Sequence, residues 1–425
     1  MASYLGETQG ISGPAGPMRA VVVLPGLSSR LGLVRKSPVR RVAALLAEAR
    51  GKKDLISFGG GAPSLPPPKE VIEFLIEKLR EEPQFSSSYG GTRGFLELRE
   101  LISQDLKRYA GIEPDPAKEI IMTEGATEGI FLSLMALVDP GDEVIIMDPT
   151  YLGFIEAIKL CGARPVGLPV YVEEGFQPDI ERLKELIGPK TKALILLSPD
   201  NPTGRVVEKE RVKAIVDLAC DHGFWIISDE TYKHIIYEGQ HTYTASLPGA
   251  WEVTITVCTF SKTASIPGFR LGYAYGPAEA IDAMEKIKQY TSLCPSTPAQ
   301  LAMMAFFKDG VKERYLREVV IPTYKARRDV MGKYLAEFLP EAKTVRPAGS
   351  FFYFVDMRSY LEKLKMDDET LCNRLIKDVS VVAIPGGYFG ERGRDHIRLT
   401  FVSEPEERII EGLSRMAKYI TEKAG

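Results

Sequence analysis

The first 35 residues carry Gly, Ser and Pro without a hydrophobic period, which predicts a flexible arm over 1–35. Ser37-Pro38 then reads as a helix cap with proline in the first turn, leading into an apolar stretch over 39–49. From residue 119 onward the pattern becomes regular. Short apolar, β-branched runs predict strands over 119–123, 143–148, 164–170, 193–198, 224–229, 253–260 and 271–275. Between several of them the apolar period lengthens to that of a helix, for example over 127–137, 180–186 and 209–220. Alternation of strand and helix predicts an α/β domain with a mostly parallel sheet, and in such sheets ligands gather beyond the carboxyl ends of the strands. After Pro298 the texture changes. A long helical stretch over 301–338, with a break near Pro322, precedes strand candidates at 351–355, 381–384 and 396–401. These predict a small α+β domain built from 36–60 and 305–425, beside a large domain over 61–304.

Composition narrows the function classes. With 425 residues and 44% hydrophobic content, the chain can bury a substantial core. A formal net charge of -3 leaves no nucleic-acid footprint and no polybasic membrane anchor. No apolar run approaches the roughly 20 residues that span a bilayer, and the early stretch 20–24 is too short for a signal-peptide core. A cytoplasmic protein without nucleic-acid or membrane partners is expected. Five cysteines (161, 220, 258, 294, 372) are scattered and never form a CxxC pair, so buried free thiols are expected rather than disulfides or a zinc site. The four histidines show no metal-ligand spacing, and no metal is expected. Only two asparagines occur, Asn201 and Asn373, while charged residues are plentiful. Heat-labile amides are depleted in this way in proteins from hot environments.

Four local features carry chemistry. Thr259-Phe260-Ser261-Lys262 follows an apolar strand directly. A lysine there is ordinarily a solvated surface residue, but two hydroxyls precede this one and Arg270 follows eight residues later. Hydroxyls with a guanidinium make a phosphate clamp, and a desolvated lysine amine can attack an aldehyde. Ser198-Pro199-Asp200-Asn201-Pro202-Thr203-Gly204 has turn chemistry, yet it keeps one of the two asparagines of the chain. Ser228-Asp229-Glu230-Thr231-Tyr232 sets an acid at a strand end, either as a helix cap or as a ligand's carboxylate. Thr123-Glu124-Gly125-Ala126-Thr127 is a strand-to-helix turn, and helix N-termini hold phosphates.

Asn201, Asp229, Lys262 and Arg270, in that order and spacing, resemble the class I/II aminotransferases of pyridoxal-phosphate (PLP) fold type I, the aspartate aminotransferase superfamily. Gly61-Ala62-Pro63 and His396-Ile397-Arg398-Leu399 add to the resemblance, which runs from about residue 55 to the end. It implies an α/β fold with a mostly parallel seven-stranded sheet in a large PLP-binding domain and a smaller α+β domain. It implies that Lys262 holds the cofactor as a Schiff base and then moves the substrate proton, with Asp229 facing the pyridine nitrogen. Asn201 and Tyr232 would bond the phenolic oxygen, and Tyr151 would stack on the ring. Gly125, Ala126, Thr127, Thr259, Ser261 and Arg270 would hold the phosphate. Arg398 would grip the substrate α-carboxylate, with Gly61 and Asn201 beside it. Tyr89 would reach the phosphate of a neighbouring subunit, making the active unit a homodimer.

The implied reaction moves an amino group from an L-amino acid to a 2-oxo acid such as 2-oxoglutarate or pyruvate. Thr127 stands where some aspartate-specific relatives carry lysine, so aromatic, methionine-like or broad donors are expected. Carbon–sulfur β-lyases and aminocyclopropane-carboxylate-type synthases use the same lysine and aspartate, and the motifs do not separate them. A non-catalytic PLP-binding sensor would carry a DNA-binding module ahead of this domain. Here fewer than 60 residues precede Gly59, without a winged-helix pattern.

Overall fold

The computed structural model describes residues 26–36 and 54–424. The helix expected over 39–49 and its cap at Ser37-Pro38 lie outside the described residues, as does the arm up to residue 25. The rest of the arm makes one short turn, Ser29–Gly32, and the Arg35 N–H donates to the Glu156 carboxylate at 3.0 Å.

The described strands are, in chain order, β1 (Ile56–Ser57), β2 (Ile120–Thr123), β3 (Glu143–Asp148), β4 (Arg164–Pro169), β5 (Thr191–Leu197), β6 (Trp225–Asp229), β7 (Thr254–Thr259), β8 (Gly272–Tyr275), β9 (Lys343–Thr344), β10 (Phe352–Asp356), β11 (Val381–Val382), β12 (Ile384–Pro385) and β13 (His396–Thr400). Strands β2 to β8 form one seven-stranded sheet in the order β2-β8-β7-β6-β5-β3-β4. Its inner pairs are parallel, and β8 alone runs against both of its neighbours. This is the mixed, mostly parallel sheet that the strand and helix alternation predicts.

Successive side chains of a strand point to opposite faces, and β5 shows the consequence. Leu194 and Leu196 pack into one apolar cluster with Val212, Ile215 and Val216 of the helix Lys209–His222. Ala193, Ile195 and Leu197 pack on the other face with Ile130 and Leu134 of the helix Gly125–Leu137. Both faces are covered, so the inner strands read as unbroken apolar runs. Two glycines let the helix Gly125–Leu137 lie close against the sheet. A Cβ at Gly129 would stand 2.7 Å from Val257, and one at Gly272 would stand 2.4 Å from the Cys258 carbonyl oxygen.

The second sheet is antiparallel, in the order β12-β13-β10-β9, beside the parallel pair of β1 and β11 with Ile56 opposite Val381. The helices Ile321–Phe338, Asp368–Val379 and Glu406–Ala424 belong to this part of the chain. Three expectations need correction. The long helical stretch breaks at Asp309 and Gly310, which take φ of 50° and 66°, and not at Pro322. Pro322 sits in the first turn of its helix, where a missing N–H costs little, and a π-helical turn over Leu316–Val320 leads into it. The strand expected over 381–384 splits in two, because β11 pairs with β1 while β12 pairs with β13. Of the five thiols, Cys161, Cys258 and Cys372 are buried, but Cys220 is exposed and Cys294 only partly covered.

The tight seat at Gly272 yields a test. Its neighbours are backbone atoms that cannot rotate away, so Gly272→Ala should destabilise the protein by about 1–3 kcal/mol. Calorimetry should record a lower thermal midpoint, and an unchanged midpoint would contradict the close packing.

Candidate active site

The ends of β5, β6 and β7 and the turn after β2 surround a cavity of about 410 Å³, within the range of small-molecule sites. Every candidate residue of the sequence except Gly125 and Tyr89 lines it.

Lys262 enters from the one-turn helix Phe260–Thr263 that follows β7. The Thr259 hydroxyl oxygen caps that turn by accepting the Ser261 N–H at 3.2 Å. The Lys262 Nζ donates to the Gly61 carbonyl at 2.7 Å. Burial, helped by the positive charges of Arg398 and Arg270, pushes its pKa down to about 8. Asp229 closes β6, and its Oδ1 accepts the Thr231 N–H at 3.0 Å in a local Asx turn. Burial pushes this carboxyl up to about 6. Tyr232 is buried beside them, and burial raises its pKa. The Lys262 Nζ stands 6.0 Å from the centre of its ring.

Arg398 on β13 brings the antiparallel sheet to the cavity. Its Nη1 donates to Asn201 Oδ1 at 3.1 Å and its Nη2 to the Gly59 carbonyl at 2.8 Å. Its guanidinium lies over the rings of Phe352 and Phe389, at 4.3 and 4.9 Å from their centres. Burial pushes its pKa down to about 10. Its Nε–H has no hydrogen-bond acceptor among the described residues. Asn201 is set by the turn after β5, where buried Asp200 accepts the N–H and the hydroxyl of Thr203 at 3.1 and 2.6 Å. Gly204 takes φ of 73° there, and a Cβ would come within 2.6 Å of the Phe352 carbonyl oxygen.

The other end of the cavity is built for an anion. Ala126 and Thr127 present the N-terminus of the helix Gly125–Leu137, with Thr259, Ser261 and Arg270 around it. Arg270 is held in place by carbonyls, Nη1 donating to Pro267 at 3.0 Å and Nη2 to Glu124 at 3.2 Å. Gly125 stays outside the lining but makes the fit possible, because a Cβ there would meet Arg270 Nη2 at 2.6 Å. Tyr151 lines the cavity with its ring edge-on to Phe154, 5.4 Å between centres. Tyr89 is 86% exposed and takes no part in the cavity of its own chain.

The sequence reading missed four groups. The Gly59 carbonyl, Phe352 on β10 and Phe389 in the turn Gly386–Phe389 hold Arg398, and the fold brings them together. The Thr231 N–H on Asp229 did carry a signal, since Asp with a partner two residues on is Asx-turn chemistry.

The arrangement fits pyridoxal phosphate. A desolvated amine, a buried carboxyl whose described hydrogen-bond partner is Thr231, and an anion-binding helix end share one cavity. Arg398, with a free Nε–H, suits a substrate carboxylate.

Residues 53–415 match the family described as aminotransferase class I and II. The chain is 35% identical to an aspartate aminotransferase of Pyrococcus abyssi over 93% of its own length and 99% of that protein. It is 33% identical to aromatic-amino-acid aminotransferase 2 of Thermococcus litoralis, with the same coverage. The solved aspartate aminotransferase of Thermus thermophilus with maleate superposes with a TM-score of 0.86 at 33% identity, over 93% of this chain and all of that one. These relatives are thermophilic, in keeping with the scarcity of asparagine.

The lowered pKa of Lys262 can be measured in cofactor-free protein. Below about 8 the amine is mostly protonated and unreactive, and above it the neutral form dominates. The rate at which an aldehyde reagent labels Lys262 should therefore rise with pH and level off just above 8. A rate still climbing toward the ordinary lysine value near 10.4 would contradict the burial argument.

Proposed function

The chain belongs to the pyridoxal-phosphate-dependent class I and II aminotransferases, and from that premise we propose that it moves the amino group of an aromatic or methionine-like L-amino acid to 2-oxoglutarate or pyruvate. The observation that carries this reading is the shared cavity of Lys262, Asp229 and Arg398.

Pyridoxal phosphate supplies an aldehyde that captures amines and a ring that withdraws electrons from the adjoining carbon. Ala126, Thr127, Ser261, Thr259 and Arg270 would hold its phosphate, with Gly125 shaping the turn. Tyr151 would stack on the ring, and Asn201 and Tyr232 would bond the phenolic oxygen. The Asp229 carboxylate would keep a proton on the ring nitrogen, and a positive charge beside it would in turn favour the ionised carboxyl against the burial that raises its pKa. Arg398 binds the substrate α-carboxylate in charge-assisted bonds, its Nε–H having no other acceptor among the described residues while Asn201 and the Gly59 carbonyl hold the guanidinium in place.

Lys262 Nζ takes the proton from the substrate α-carbon and delivers it at the other end of the transfer. With a pKa of about 8, roughly a tenth of the amine is neutral at pH 7, against well under one part in a thousand at an ordinary lysine value. That neutral fraction is what general-base work requires.

The donor preference rests on the remaining lining. Ile130, Leu152, Phe154, Leu197 and Pro267 are apolar, and among the described residues the lysine and arginine side chains that line the cavity are Lys262, Arg270 and Arg398. Each of these already has a role, which leaves none among the described residues of this chain for a second substrate carboxylate and favours an apolar side chain. The exposed Tyr89 fits a homodimer in which it reaches the neighbouring copy's phosphate.

Two outcomes test this reading. Purified protein with the cofactor should be yellow and should bleach with aromatic amino acids or methionine far more readily than with aspartate. Rapid bleaching by aspartate alone would overturn the donor assignment. Arg398→Ala should raise the KM for the donor by about 100-fold or more, as expected from losing a charge-assisted bidentate contact, while the visible spectrum of the bound cofactor persists. An unchanged KM would remove Arg398 from the substrate site.

A further inference from the structure

The anion site has an acid built into it. Glu128 lies in the first turn of the helix Gly125–Leu137, the helix whose N-terminus faces the cavity. Its Oε2 accepts the Glu124 N–H at 2.6 Å, and so helps shape the turn whose Glu124 carbonyl holds Arg270. An acid in this place stabilises the helix end. The same negative charge opposes any phosphate bound to that end, because like charges in a partly desolvated site repel strongly.

Lys288 answers that conflict. It closes the helix Ala278–Lys288, and its side chain is fully buried, 0% exposed, against 14% for Glu128. Its Nζ donates to both carboxylate oxygens of Glu128, at 3.0 and 2.8 Å, and to the Ser292 hydroxyl at 2.6 Å. Ser292 also donates to Glu128. A buried lysine in this setting is costly unless its charge is used. Hydrophobic packing between the two helices would be served as well by methionine.

We propose that Lys288 is a positioning residue for the cofactor phosphate: it neutralises Glu128, so that one carboxylate can shape the helix turn without repelling the phosphate bound there. This inference rests on the reading that the turn after β2 holds a phosphate. It adds a charge-compensating pair that does not line the cavity.

The test is a binding titration of cofactor-free protein with pyridoxal phosphate and, separately, with pyridoxal, which lacks the phosphate. Binding of pyridoxal phosphate by the unaltered protein, tighter than that of pyridoxal, checks the reading beneath. In Lys288→Met, affinity for pyridoxal phosphate should fall about 10- to 50-fold, as one unscreened charge near the phosphate implies, while affinity for pyridoxal changes less than about threefold. The double variant Glu128→Gln/Lys288→Met should recover binding of pyridoxal phosphate to within about threefold of the unaltered protein. Should Lys288→Met fail to fold, Glu128→Gln serves alone. It keeps an acceptor for the Glu124 N–H and removes only the charge, so it should bind pyridoxal phosphate as tightly or more tightly. Equal losses for both ligands in Lys288→Met, no loss at all, no recovery in the double variant, or weaker binding by Glu128→Gln would each overturn the proposal.

Discussion

Removing one amine and one carboxyl from water in a single cavity is the constraint on which the rest of the molecule depends. Burial disfavours the charged form of each, so Lys262 is pushed down to about 8 and Asp229 up to about 6. Each needs a partner that satisfies it without cancelling its reactivity. The Gly61 carbonyl does this for the amine and the Thr231 N–H for the carboxyl. Both partners are backbone groups, which hold position without adding a charge.

The fold supplies that constraint through its edges. Parallel strands end together, so β5, β6 and β7 deliver Asn201, Asp229 and Lys262 to one place from stretches far apart in the chain. Close packing at Gly129 and Gly272 seats the helix end that faces the same cavity. The antiparallel sheet closes the site from the other side, and Arg398 is where the two parts meet. Its bonds to Asn201 and to Gly59 tie β13 to the turn after β5 and to the chain after β1. A second tie stands farther out, where Arg328 and Arg346 share the acids Glu238 and Asp329. Networks of this kind hold up better with rising temperature than isolated pairs do, which suits a chain poor in heat-labile amides.

The strands of the large sheet were legible because buried parallel strands leave unbroken apolar runs. The boundaries at 143–148 and 180–186 agree with the structure to the residue. The positions of Lys262, Asp229 and Asn201 were legible for a related reason, since each stands at the end of such a run or in the turn that follows it. Between residues 61 and 119 the sequence shows no alternation of strand and helix. The helices Lys69–Glu81 and Leu96–Ala110 lie there, amphipathic and rich in charge, without a strand between them to set the rhythm. What the sequence could not carry is contact across distance. The stacking of Phe352 on Arg398, the Gly59 carbonyl beneath it, and the pairing of Lys288 with Glu128 depend on residues 46 to 339 positions from their partners, brought together only by folding. Pro322 misled because a proline in a helical run reads as a break, whereas in a first turn it is tolerated.

The central claim is that Lys262, and no other lysine, meets the cofactor aldehyde. Borohydride reduction of protein loaded with pyridoxal phosphate, followed by peptide mapping, tests it directly. The account predicts a single phosphopyridoxyl group, on Lys262. A label on another lysine, or none on Lys262, would contradict it.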